Sequence, residues 1–595
     1  MMSNSVNIAY DEKTRSAIVE VVGSDEAWRS IRRVCQDTFG ETDLTSQNSL
    51  QMPWWAFLGC LNEIEYYAKR HLVDIVHTEQ AAERLEQSRS AVAQYEDAKS
   101  GVGPSEEKIR AELSSKNFLR ELTQEQARNV SKMMALPSAA TFSVPGAGKT
   151  TEALSFYVLK RTDETRLLVV CPKNAFSAWE EQLSLCLTDE DAFVRLRGGR
   201  AAIETQLKKK PPKVLITYQQ LPIVLDLIGN YLSDQDSLMF LDESHKIKRG
   251  FQGVWGNAIL SIAQIPRAKL IMSGTPMPND VSDLVPQFRF LYPEILADDD
   301  TVQDYIRPVY VRTTKPELGL RPSKKIIKRL PLKPAQHELY QLLRSEAARQ
   351  AKSLTRMDMG TLRRAGRSAL RLLQIATNPS LLARLEEFEH ESLLSEVLSE
   401  GDSPKLEYAC YRARELAFEG KKSIIWSSFV QNVELVSNRL LDIGAEYIHG
   451  GVDAGSEDEQ GTREQKIKRF HDDGNCWVMV ANPAACGEGI SLHTVCHHAI
   501  YLDRNYNAAQ YLQSEDRIHR LGLPPDQETY VEILQSPQTI DESVDRRLGF
   551  KIENMARVLN DASLNREPEI IELDSDGFDE NDLKDFLSHL SEKVS

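Results

Sequence analysis

Short apolar runs recur along most of the chain, separated by longer amphipathic stretches. Leu167-Leu168-Val169-Val170-Cys171, Val214-Leu215-Ile216-Thr217-Tyr218, Leu238-Met239-Phe240-Leu241 and Leu270-Ile271-Met272 are continuous rather than alternating. That is the pattern of strands covered on both faces. The stretches between them are helical in length and pattern, so the chain is predicted to build an α/β parallel sheet with crossover helices. A second set, Ser423-Ile424-Ile425-Trp426, Trp477-Val478-Met479-Val480 and Ala499-Ile500-Tyr501-Leu502, predicts a second lobe of the same kind. Cys486, His493, Cys496, His497 and His498 cluster near the last run and read as a buried strand with its turn rather than a metal site.

The first 118 residues read differently. Met52-Pro53-Trp54-Trp55-Ala56-Phe57-Leu58 is apolar and aromatic, and both tryptophans are expected in a core. From Leu61 to about Lys99 the sequence is charged, free of proline and helix-favouring, which predicts one long helix. Gly101-Val102-Gly103-Pro104 breaks it. The expected organisation is an N-terminal helical accessory domain over 1–118, a first lobe over 119–312, a linker with basic helical protrusions over 313–400, a second lobe over 401–548, and a brace helix with an acidic tail over 549–595.

Composition narrows the class. The 595 residues are 41% hydrophobic and 27% charged, enough for ordinary cores. No apolar run approaches the ~18 residues of a membrane span, and the N-terminal residues carry no signal pattern. The eight cysteines include no Cys-x-x-Cys pair, so reduced thiols and a cytoplasmic setting are expected. Net charge is −16, which argues against coating DNA with the whole surface. Lys324-Lys325, Lys328-Arg329, Arg363-Arg364, Arg367 and Arg371 concentrate positive charge in the middle of the chain, making Arg363 and Arg364 candidate DNA contacts.

Three stretches carry chemistry. Ser143-Val144-Pro145-Gly146-Ala147-Gly148-Lys149-Thr150 reads as a phosphate-binding loop, with Ser143 where the strict pattern has glycine. Small residues, including Gly146, Ala147 and Gly148, let backbone N–H groups converge on phosphate oxygens. Lys149 would reach the β- and γ-phosphates of ATP, and Thr150 would hold Mg2+ through its hydroxyl. Shortly before the loop, the amide of Gln126 can read an adenine edge. The run 238–241 leads straight into Asp242-Glu243-Ser244-His245, at the strand end where α/β sites lie. Asp242 can hold Mg2+ through its water shell, and Glu243 can orient and deprotonate an attacking water. In the second lobe, Gln513-Ser514-Glu515-Asp516-Arg517-Ile518-His519-Arg520 is expected to be helical, with Arg517 and Arg520 sharing a face from which they pin a γ-phosphate.

These residues, in this order, resemble superfamily 2 helicase-like ATPases, and within them the Swi/Snf-type translocases of double-stranded DNA. The resemblance covers about 120–555. It rests on Gln126, the phosphate loop, Val170-Cys171-Pro172-Lys173 with Trp179, Thr217-Tyr218, Asp242-Glu243-Ser244-His245-Lys246-Ile247-Lys248, and Ser273-Gly274-Thr275-Pro276 with Asn279. It continues through Gln374-Ile375-Ala376-Thr377-Asn378-Pro379, His449-Gly450-Gly451, Gly487-Glu488-Gly489-Ile490, the segment from Gln513, and Thr539-Ile540-Asp541-Glu542 with Lys551. The resemblance implies two RecA-like parallel-sheet lobes, ATP and Mg2+ as cofactors, Gly489 and Gln513 at the nucleotide, and Lys173 and Thr217 near DNA. It makes 273–276 the loop that couples hydrolysis to movement. Ser244 departs from it, standing where the signature has alanine, and a bacterial or viral branch is suggested because no chromatin-reader domain is evident.

The activity expected is ATP hydrolysis driving movement along duplex DNA or remodelling of protein–DNA complexes. A strand-separating or annealing helicase on DNA or RNA, and an ATP-controlled scaffold for a partner nuclease or methylase, are the alternatives. A protein partner is expected at the N-terminal domain or at the acidic tail, where Leu583, Phe586, Leu587 and Leu590 repeat at helical spacing among acidic residues. If the tail shields the basic middle, deleting 567–595 raises basal ATPase rate and DNA affinity; unchanged values contradict that role.

Overall fold

The structure, a computed structural model, describes residues 4–12, 14, 16–39, 43–46, 48–100, 102–187, 191–352, 359–384, 388–453, 459–486, 490–524 and 526–564. The chain divides into two compact units. The first comprises Met1–Ser143, Gly148–Pro276 and Val281–Arg312; the second comprises Val144–Ala147, Met277–Asp280 and Thr313–Ser595.

The first unit holds a seven-stranded sheet in the order Tyr310–Val311, Ala139–Thr141, Ala268–Met272, Ser237–Asp242, Arg166–Val170, Lys213–Ile216, Val194–Arg195. Every pairing in it is parallel. The continuous apolar runs explain this: all five residues of Arg166–Val170 and of Ala268–Met272 are buried, as strands covered on both faces must be. Ser237–Asp242 lies near the middle, so its carboxyl end is fixed by a neighbour on each side.

The N-terminal region corrects the helical expectation. A five-stranded sheet runs Asp43–Ser46, Ser49–Pro53, Ser16–Val22, Ser5–Asp11, Asp74–His77, mixed in direction. The reason is a period of two in short segments: Val6 and Ile8 on one strand and Val19 and Val21 on the next are buried while their neighbours are not. The anticipated long helix is two, Trp54–Arg70 and Glu79–Ser100. Between them Leu72 takes a left-handed φ of 54° and Asp74–His77 joins the sheet in parallel with Ser5–Asp11. Trp54 is fully buried, donates to the Ser88 hydroxyl at 3.2 Å and packs on Tyr10 and Phe57, as a core residue does. Tyr95, on the second of these helices, donates to the Tyr305 carbonyl at 2.8 Å and stacks edge-on against Tyr292, which ties this region to the seven-stranded sheet.

The second unit holds a six-stranded, all-parallel sheet in the order Lys324–Arg329, Tyr530–Gln535, Cys496–Tyr501, Lys422–Trp426, Val478–Ala481, Glu446–Ile448. One face is covered by the helices Pro334–Lys352, Met359–Thr377 and Ile540–Val558, whose Leu339, Leu373 and Ile552 share a core with Trp426 and Ile533. The other is covered by Pro404–Phe418 and Val430–Arg439. Part of the basic middle is therefore an edge strand and not a helical protrusion. Lys325 on that strand is buried against Glu515 at 3.1 Å, and Lys324 pairs with Glu528 at 2.6 Å. Arg367 and Arg371 remain exposed, one turn apart on Met359–Thr377; Arg363 and Arg364 lie on the same helix. The strand Cys496–Tyr501 bears out the buried reading of the cysteine–histidine cluster. Among the described residues, cysteines are free thiols, and no helix is long and apolar enough to cross a membrane.

One strand residue breaks the apolar pattern. Lys269 is buried in Ala268–Met272, with its ammonium donating to the Ala263 carbonyl at 2.9 Å. Burial pushes its pKa down from 10.5 to about 8. Below about pH 8 the folded state carries the full cost of a buried cation, and above the unfolded value of 10.5 neither state does. The stability of the protein relative to Lys269→Met should therefore rise between pH 8 and 10.5, measured by urea unfolding; a difference that stays constant over that interval contradicts the assignment.

Candidate nucleotide site

The phosphate loop connects Ala139–Thr141 to the helix Lys149–Lys160, whose N-cap is Gly148. Positive φ is confined to Gly146 and Gly148, both at 87°. Only those two positions need glycine, which explains why serine is accepted at 143. Ser143 is fully buried, and its hydroxyl lies 3.1 Å from Thr141 Oγ1 and accepts from Asn129 Nδ2 at 3.4 Å. Lys149 reaches back to donate to the Ser143 carbonyl at 3.0 Å, so its charge lies across the loop. A Cβ on Gly148 would fall 2.2 Å from Gln126 Nε2, so the loop passes too close to Gln126 for any side chain.

Gln126 itself caps the helix Gln124–Met134. Its side-chain carbonyl accepts from Thr123 N at 3.1 Å while Thr123 Oγ1 accepts from Gln126 N at 3.3 Å. Beneath the loop sits a residue that the sequence reading passed over. Glu152 is fully buried on Lys149–Lys160, accepting from Asn129 Nδ2 and from Thr141 Oγ1, each at 2.7 Å. Burial pushes its carboxyl up to about 7 against the pull of those two bonds. The available signal was a lone acid in an apolar helix, three residues after Lys149.

The carboxyl end of Ser237–Asp242 holds the second group. Asp242 Oδ2 accepts from Trp179 Nε1 at 3.0 Å, its Oδ1 accepts from Glu243 N at 3.0 Å, and its backbone carbonyl accepts from the Tyr218 hydroxyl at 2.7 Å. Glu243 is left-handed, with φ 54° and ψ 53°, a conformation that costs a non-glycine residue about 1–2 kcal/mol. The sharp turn presents its carboxylate 3.3 Å from His245 Nδ1 and 3.5 Å from the Ser273 hydroxyl, while His245 and Ser273 lie 3.0 Å apart. Burial pushes the Glu243 carboxyl up, but His245, Lys149 and Lys246 together overcome it and hold the pKa near 2. Glu243 is thus ionised at neutral pH. Lys173 is exposed just past the carboxyl end of Arg166–Val170, and Thr217 is half-buried just past that of Lys213–Ile216, accepting from Gln220 N at 3.1 Å.

In the second unit the arginines do not share a helical face. The helix Ala508–Glu515 ends before them, and Arg517, Ile518 and His519 continue as a turn, with Arg517 N donating to Ser514 O and Ile518 N to Glu515 O. Residues 513–519 are all buried, with their polar side chains taken up by partners around the turn. Glu515 accepts from Ser323 Oγ at 2.6 Å, and Asp516 pairs with Lys315 at 2.6 Å. Arg517 donates to the carbonyls of Gln513 at 3.0 Å and Ile490 at 2.9 Å, so its guanidinium braces the segment beginning at Ile490. Arg520 is partly exposed. Gly489 lies outside the described residues, and so does the acidic tail.

Two stretches of the chain match known domain families. The SNF2-related domain matches residues 142–307, and the helicase conserved C-terminal domain matches residues 406–522. The putative ATP-dependent helicase/translocase YwqA of Bacillus subtilis is 25% identical over 480 residues, covering 73% of this chain and 47% of that protein. The Zorya protein ZorD of Escherichia coli is 24% identical over 466 residues, covering 68% of this chain and 41% of that protein. The chain thus spans less than half the length of either relative. Among solved structures, the SWI2/SNF2 ATPase core of Sulfolobus solfataricus in complex with double-stranded DNA overlays 76% of this chain and 98% of its own at 22% identity, with a TM-score of 0.32. The chain thus carries an SNF2-related domain spanning the phosphate loop and the Asp242–Glu243 turn, followed by a helicase conserved C-terminal domain spanning the arginine segment.

Proposed function

We propose that the chain hydrolyses ATP, held with Mg2+, to drive itself along double-stranded DNA. The observation that carries the hydrolytic reading is Glu243 itself, presented by a left-handed turn at the carboxyl end of Ser237–Asp242 and held beside His245 and Ser273. The glycine-lined loop fits a triphosphate: Gly146 and Gly148 keep side chains out of it, and a buried Ser143 and Glu152 hold it from below. Thr150 and Asp242 are the oxygen donors suited to a hard cation. When bound, Mg2+ neutralises phosphate charge.

The chain's own residues supply the rest. Lys149 leaves the Ser143 carbonyl to neutralise the terminal phosphates. Glu243 accepts a hydrogen bond from the attacking water, orients it, and takes its proton as the water oxygen bonds to the γ-phosphorus and the bond from that phosphorus to the bridging oxygen breaks, that oxygen leaving on ADP. His245 and Ser273 keep the carboxylate aimed. Arg520 supplies the positive charge that offsets charge building in the transition state, while Arg517 keeps the surrounding segment in shape. Gln126 supports the loop through its cap and its contact with Gly148. DNA is met by its backbone, through Lys173, Thr217 and the exposed Arg367 and Arg371, which predicts weak sequence preference and steep salt dependence.

Steady-state ATPase rates across duplex DNA, single-stranded DNA and RNA test the substrate, with triplex displacement as the readout of movement. Stimulation by duplex DNA together with displacement is expected; stimulation by single strands or RNA alone contradicts the duplex assignment, and ATPase without displacement contradicts a motor.

The active-site roles are tested separately. Glu243→Gln should bind ATP and form a stable complex without hydrolysis. Arg520→Ala should retain binding and lose turnover by about 10³-fold, whereas Arg517→Ala should chiefly lower the unfolding temperature. Arg520→Ala turning over near the wild-type rate removes Arg520 from the site.

A further inference from the structure

Ser244 stands one residue past Glu243, is fully buried, and differs from the alanine of the signature it otherwise follows. Its hydroxyl donates to the side-chain carbonyl of Gln287 at 2.6 Å. Gln287 belongs to the short helix Val285–Leu291 and is itself fully buried. The other end of the same amide donates twice, to the backbone carbonyl of Pro276 and to that of Asp283, each at 2.7 Å. The amide orientation follows from its partners, since the nitrogen faces two carbonyls and the oxygen faces a hydroxyl. One planar group therefore holds two loops at once: the turn that presents Glu243 and the loop 273–276, whose Ser273 hydroxyl lies against His245 and Glu243.

We infer that Gln287 is a positioning residue that locks the Glu243 turn to the Ser273–Gly274–Thr275–Pro276 loop, so that neither moves without the other. The alternatives are poor for a buried amide: each broken bond leaves a polar group without water, so the side chain prefers the one arrangement that satisfies all three. The loops are thereby joined twice, through Ser273 on the side of the carboxylate and through Gln287 on the buried side. Ser244 is what lets the second link exist, because alanine offers Gln287 nothing. The inference deepens the proposed hydrolysis and rests on it for its kinetic readout alone.

The test uses the full chain and two substitutions, Ser244→Ala and Gln287→Leu, singly and together. Hydrogen exchange without nucleotide reads the lock directly. Ser244→Ala, which touches one loop, should speed exchange in both 243–248 and 273–275; a change confined to 243–248 overturns the inference. In ATPase assays, Gln287→Leu should lower kcat at least 10-fold with KM within 2-fold, and the double variant should be no slower than Gln287→Leu, because the two changes break one link. A lowered unfolding temperature with wild-type kcat, or effects that multiply in the double variant, also overturns it. If Gln287→Leu does not fold, Ser244→Ala still decides by exchange. A wild-type chain with no ATPase contradicts the proposed function and leaves the exchange result to decide on Gln287.

Discussion

A carboxylate kept ionised against its own burial is the interaction on which the first unit depends. Desolvation alone favours the protonated form of Glu243, which could not take a proton from water. His245, Lys149 and Lys246 reverse that, and their placement depends on the central strand Ser237–Asp242 ending where it does. The strand end in turn is clamped by Trp179 and Tyr218, which bind the Asp242 side chain and backbone from the ends of neighbouring elements. Buried Leu238, Met239, Phe240 and Leu241 thus do more than fill a core, because they fix the position of a charge.

The phosphate loop shows the same economy. Its curvature is set by two left-handed glycines, and its floor by a buried network of Ser143, Thr141, Asn129 and Glu152. An apolar floor could not satisfy the inward-facing polar atoms of a loop this tight. In the second unit the corresponding problem is solved with ion pairs. Glu515 with Lys325, and Asp516 with Lys315, anchor the turn from which Arg520 emerges. The cost of burying those charges is offset only when geometry and hydrogen bonding are complete, so such pairs fix position more than they add stability.

Much of this was legible in the sequence. Continuous apolar runs announced parallel strands, and the chemistry followed them at their carboxyl ends, as in the step from Leu241 to Asp242. What was not legible is instructive. Lys324 and Lys325 read as a basic surface because charge density is visible in a sequence and partners such as Glu515 and Glu528, some 190 or more positions later, are not. Arg517 and Arg520 read as one helical face because spacing cannot reveal that the helix stops at Glu515. The N-terminal strands were missed since each is short and polar on one side, and strand pairing between Ser5–Asp11 and Asp74–His77 is a non-local event. Gln287 gave no signal at all, as glutamine on a short helix is usually a surface residue. Ser244 did signal, as a departure from a signature, and its partner explains it.

The proposed hydrolysis stands on the Glu243 carboxylate acting on the attacking water. Single-turnover hydrolysis of bound ATP, by the wild-type chain and by Glu243→Gln at matched ATP occupancy, tests that most directly. A rate lowered by about 10²–10⁴-fold is expected. A rate near that of the wild type would contradict it.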